Sequence, residues 1–170
     1  MPAELVALRL VHVLGGIAWV GFAAFNTYFL IPALGASGSA AGAVMAQLQE
    51  RKLFTVLPWI AMATLLSGLR LLMLTSSGFD AAYFETRGGF TYAAGGAAAI
   101  VGFCIALLLT RPSMVRVGAL LAQRAAAAPD DQRRIDGQVA RLRAKAGVSG
   151  QVSTALLLAS AIAMAVARYL

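Results

Sequence analysis

The sequence predicts an all-α polytopic membrane protein, a four-transmembrane-helix bundle with a cytoplasmic helical hairpin extending spans three and four. Three observations carry this. Of 170 residues, 60% are hydrophobic and only 12% are charged, against about 45–50% and about 25% in an ordinary soluble domain. The apolar residues fall into four blocks, each near the roughly 20 residues that a helix needs to cross a bilayer. No alternation of period two suggests a barrel, which leaves helices as the elements that pair their own backbone groups in lipid. Residues 1–170 have room for a single four-helix membrane domain and no second soluble one.

The first span covers about 5–34, interrupted by Arg9, His12, Asn26 and Thr27, and ends at Pro32 and the stretch GASGSAAG. It has no basic leader and is too long for the apolar core of a cleaved signal peptide, so it reads as a permanent helix. The second span covers about 54–75, with Pro58 near its start and Arg70 near its end; the linker SSGFDAAYFETRGG follows. The third and fourth spans cover about 92–110 and 152–170. Between them, Met114, Val117 and Leu121 make one helical stripe and Ile135, Val139 and Leu142 another, the second after Pro129 and an Asp130 or Asp131 N-cap. Residues 111–147 are therefore predicted to fold as an αα-hairpin bending at Ala128–Asp131. It would project on the order of 20 Å.

Basic loops stay on the cytoplasmic side. Residues 111–147 carry eight Arg and Lys against three Asp, and the 35–53 connection adds Arg51 and Lys52 against Glu50, whereas 76–91 has Asp80 and Glu85 against Arg87. This alternation predicts a cell inner membrane protein with both termini on the periplasmic side. Eight plus two makes ten of the 14 basic residues cytoplasmic, facing anionic headgroups of the lipid bilayer. The net charge of +7 is thereby accounted for without nucleic acid as a partner.

Small residues recur at four-residue steps, Ala94, Ala98 and Gly102 in the third span and Ala155, Ala159, Ala163 and Ala167 in the fourth. They permit close helix packing within the bundle, or the interface of a homodimer or larger membrane complex. The single cysteine, Cys104, excludes an intrachain disulfide and a cysteine-based metal cluster.

Chemistry concentrates in the first span. Arg9, His12, Gly16, Trp19, Ala23 and Asn26 follow spacings of three and four and share one helix face. An ionisable group inside a span is costly, which makes His12 a functional-site candidate and the candidate metal ligand. Gly15 and Gly16 remove bulk one turn away, which suits a flat ligand such as haem b; the alternative is a hydrogen-bonded histidine with glycines that serve helix packing. By depth, Arg9, Arg70 and Arg168 cluster at the outer mouth, where guanidinium groups suit haem propionates or else snorkel to headgroups. Met164 lies at the depth of His12 and is the best-placed second axial ligand. With one histidine in the chain, an intrachain bis-His haem cannot form.

The segments LRLVHVLGGIAWVGFAAFNTYFLIPAL and ERKLFTVLPWIAMATLLSGLRLLM resemble the opening helices of the copper-resistance D family and the related oxygen-independent protoporphyrinogen oxidase family. The resemblance rests on His12, Gly16, Trp19 and Gly21, then on Glu50, Arg51, Lys52, Leu53, Pro58 and Gly68. It covers about half the chain. It implies a helical bundle binding haem b through the first-helix histidine, with a role in haem synthesis, copper handling or membrane electron transfer. The third-helix tryptophan/histidine/lysine stretch and the asparagine-glutamate-proline motif of the oxidase family are absent from spans three and four, so the resemblance is to a divergent relative.

Two functions follow as expectations. One is membrane redox, haem or copper-related chemistry at His12, with Arg9, Gly16, Trp19, Arg70 and Met164 around it. The other is a non-catalytic membrane subunit or scaffold of a larger complex, docking a soluble partner at 111–147. No nucleophile, base and orienting acid fall together, and no phosphate loop occurs, so hydrolase and pump chemistry lose support.

Overall fold

The computed structural model describes residues 3–38, 40–124 and 126–170. Each predicted span lies in a helix long and apolar enough to cross a membrane. Helix α1 runs Ala3–Ala36. Ser39, in the predicted first connection, lies outside the described residues. The rest of that connection holds α2, Ala40–Glu50. Helix α3 is Leu53–Thr75. In the second linker Asp80 caps a short helix, α4, Ala81–Glu85, by accepting from the Ala82 amide. Helix α5 is Arg87–Arg124 and α6 is Pro129–Tyr169. Both extend well beyond their predicted spans, because the apolar stripes of 111–147 are in helical phase with the spans they continue.

Pro32 does not end the first span; the helix runs through it. A π-helical segment, Asn26–Leu30, stands immediately before Ile31-Pro32, and the Ile31 amide donates to the Asn26 carbonyl five residues back. The same arrangement recurs in α5, where the π segment Ala106–Thr110 precedes Arg111-Pro112 and the Arg111 amide reaches the Ala106 carbonyl. Proline lacks an amide hydrogen and its ring crowds the carbonyl four residues earlier. Widening the preceding turn is one way a helix accommodates it.

Both π segments are tied to α6 through hydroxyl groups. Thr27 donates to Thr154 Oγ1 at 2.8 Å, and Thr154 donates on to the Ala23 carbonyl at 3.4 Å. Thr110 donates to Ser149 Oγ at 2.8 Å, and Ser149 donates to the Ala146 carbonyl. Ser153 reaches across to the Gly102 carbonyl at 2.8 Å. Hydrogen bonds between helices are a main source of cohesion where lipid removes the hydrophobic drive.

The four long helices form a ring in the order α1, α3, α5, α6, each touching the next and α6 closing on α1. One residue from each meets at the centre: Trp19, Ala61, Ala99 and Leu157. The Trp19 indole stands edge-on to Phe103, 5.9 Å between ring centroids. Leu14, Ile17, Leu108 and Ile162 stay exposed on the outer faces, as lipid-facing side chains do.

Past the π segment, α5 lies against the first half of α6. Val117, Ile135 and Val139 are buried there, with Leu120 and Leu142 packed on them. Arg124 grips Asp136 with two bonds, Nε to Oδ1 at 2.6 Å and Nη2 to Oδ2 at 3.0 Å.

Candidate functional site

The imidazole of His12 lies between α1, α3 and α6. Its Nδ1 is 2.9 Å from the Thr64 carbonyl oxygen, which can only accept, so Nδ1 carries the proton. This assigns the tautomer. The other nitrogen, Nε2, faces Met164 Sδ at 3.4 Å. In the neutral ring that contact joins a bare nitrogen lone pair to a thioether, with no proton between them.

Glycines set the ring's position. A Cβ on Gly68 would lie 2.6 Å from His12 Cε1 and 2.9 Å from Nδ1, so the imidazole occupies the place of a side chain there. On the facing helix, a Cβ on Gly15 would collide with the Thr64 hydroxyl, and one on Gly16 would touch Thr64 Cγ2 at 3.8 Å. Gly15 and Gly16 therefore open no slot for a flat ligand: Thr64 fills the space, and its hydroxyl donates to the Ile60 carbonyl. Ser67, buried one turn on, donates to the Ala63 and Thr64 carbonyls.

A haem held by His12 and Met164 together does not fit this arrangement. His12 Nε2 and Met164 Sδ are in direct contact at 3.4 Å, which leaves no room for a macrocycle between them. Imidazole and thioether are borderline and soft donors, the combination that favours copper(I) over hard cations. Among the described residues no group of three His, Cys, Asp or Glu comes together.

The other candidates fall into different environments. Trp19 is core, two turns from the imidazole. Arg70 is engaged by Glu4, Nη2 to Oε1 at 2.7 Å and Nε to Oε1 at 2.9 Å, rather than standing ready for a propionate. Glu4 lies just before the predicted first span and is the α1 acid that pairs with Arg70. Arg9 is exposed and has no acidic partner among the described residues. Arg168 lies over the ring of its neighbour Tyr169, 5.1 Å from the centroid.

In the 111–147 segment, the hydrogen bonds from Arg124 hold the Asp136 carboxyl below the usual carboxylate range, and the same contact raises the guanidinium further. Arg133 pairs with Asp130 at 3.5 Å and Arg134 with Asp131 at 3.1 Å.

No family model, curated protein or solved structure matches this chain.

Proposed function

We propose that this is a multi-pass inner-membrane protein whose His12 and Met164 hold a copper(I) ion, in the service of copper handling or membrane redox chemistry. The observation that carries the reading is the Nε2–Sδ approach of 3.4 Å, made by a ring whose other nitrogen is already committed to Thr64. A hydrogen bond from the far nitrogen fixes a ligating imidazole and raises its basicity. Copper bound there supplies one-electron transfer or is itself the cargo. His12 binds through Nε2, Thr64 and Gly68 hold the ring in register, and Met164 presents sulfur from a third helix. Copper handling is also among the roles that the first-helix resemblance implies. Haem b on His12, the other implied role, requires the Met164 thioether to leave.

Charge distribution supports an orientation with 111–147 as a cytoplasmic hairpin and both termini periplasmic. A second reading, a scaffold that docks a soluble partner on this hairpin, is favoured by the hairpin's own buried core of Val117, Ile135 and Val139. Its sign is a co-purifying protein lost on deletion of 118–142.

Purified protein titrated with copper(I) against a chromophoric chelator tests the first reading. One equivalent is expected, with affinity weakened at least about tenfold in His12→Ala and in Met164→Leu, a volume-conserving change that keeps the fold. No binding by the native chain, or equal binding by His12→Ala, overturns it. A Soret band that disappears in His12→Ala overturns it in favour of haem b.

A further inference from the structure

The charges of 111–147 are zoned. All three acids, Asp130, Asp131 and Asp136, lie at the tip, and each is paired with a tip arginine, Arg133, Arg134 or Arg124. The tip is therefore neutral. The five remaining basic residues, Arg111, Arg116, Arg141, Arg143 and Lys145, have no acidic partner among the described residues. All belong to the base, where the helices leave the apolar region. Taking the Thr110–Ser149 hydrogen bond as a level and about 1.5 Å per residue, these five spread from about 1.5 to about 12 Å above it.

Across that level a shallow, open groove runs between α5 and α6, lined by Ile105, Leu109, Val148, Ser149 and Val152, with Lys145 at its upper edge. An open apolar face of α5 continues from Ile105 and Leu109 past Val101 to Ile100, about 13 Å along the helix from Leu109 to Ile100. Helical spacing aligns the two zones. On α6, Arg141, Lys145, Val148 and Val152 follow steps of four, three and four, and on α5 Ile105, Leu109 and Arg116 share one face. Each stripe changes from apolar to cationic at the same height.

We propose that this groove binds one anionic glycerophospholipid, an acyl chain lying along Leu109 and Val148 and the headgroup phosphate held by Arg116, Arg141 and Lys145. An apolar trough with a cationic lip matches the amphiphile in both halves, and removal of every acid to the tip clears the lip of competing charge. The inference rests on the membrane-spanning reading of the four helices and not on copper at His12, so lipid retention and copper titration fail separately.

Native mass spectrometry of the full chain tests it, with phosphatidylglycerol or phosphatidylcholine added to detergent-solubilised protein. One phosphatidylglycerol is expected to survive delipidation that strips phosphatidylcholine. The triple variant Arg116→Gln, Arg141→Gln, Lys145→Gln is expected to lose that preference, on the order of 100-fold in affinity at about tenfold or less per charge. The tip variant Arg133→Gln, Arg134→Gln keeps it. Val148→Trp, which fills the trough without touching the lip, weakens retention while helicity stays unchanged. Equal retention of the two lipids, an unaffected triple variant, or a tip variant that loses as much as the base variant overturns the proposal. So does displacement of the lipid by soluble glycerol 1-phosphate, which would mark a phosphate site without a chain.

Discussion

Two helix pairs in this bundle use the same device, a glycine at the interface, for different ends. In α5 against α6, a Cβ on Gly102 would come 3.2 Å from the Ser153 carbonyl oxygen, and one on Gly95 would come 3.2 Å from Ala163 Cβ. The space is taken by backbone and by aliphatic parts of Ala163, Leu156, Leu157 and Met164, in contacts no closer than 3.2 Å. In α1 against α3, the space at Gly68 is taken by an imidazole. One pair is sealed, the other furnished. Glycine content in a membrane helix therefore says how near a neighbour comes, not what the neighbour brings.

The sharpest way to break the contrast is Gly68→Ala. Its methyl overlaps the His12 ring, which must leave the Thr64 carbonyl and the Met164 sulfur together. We expect a loss of about 3 kcal/mol in detergent unfolding and loss of copper(I) binding. Gly102→Ala presses on backbone at a longer distance and far from His12; about 1 kcal/mol is expected, with copper affinity unchanged. If Gly102→Ala weakens copper binding as much as Gly68→Ala, the two interfaces are not functionally distinct. Gly96 is the control on the same helix, since a Cβ there meets nothing within 4 Å. Gly96→Ala should raise stability by about 0.5–1 kcal/mol through helix propensity.

The smallest effect belongs to the 111–147 segment. Asp136 has a carboxyl held below its unfolded value of about 3.9 by Arg124. Its contribution is therefore in full force above that value and fades as pH falls through the lower, folded one. Hydrogen exchange at Val117 and Val139 should quicken over that acid range in the native chain. Asp136→Asn should show no such acid limb, and because the pair is solvent-exposed the shift is modest.

The four spans were legible because lipid imposes length and hydropathy on every residue of a crossing. Depth along antiparallel spans was legible for the same reason, which is how Met164 could be set at the depth of His12 from the sequence; their contact is visible only in the fold. What escaped had a local or negative signature. Pro32 reads as a stop unless the preceding turn is known to widen. Gly68 carries no chemistry and shows its use only when the ring that fills its place is seen. Glu4 stands near the chain start, and its attachment to Arg70 depends on how α1 and α3 align end to end. Helix α2 lies in a connection rich in small residues, where periodicity is weak.

The longest helix contains no π segment. Helix α6 carries a buried stripe from Ile135 and Val139 through Ala146, Ser153 and Leu157 to Ala167, while the π segments occur in α1 and α5. Its 38 α-helical residues span about 57 Å, so the paired acids of the tip and the Met164 sulfur sit near opposite ends of one continuous helix.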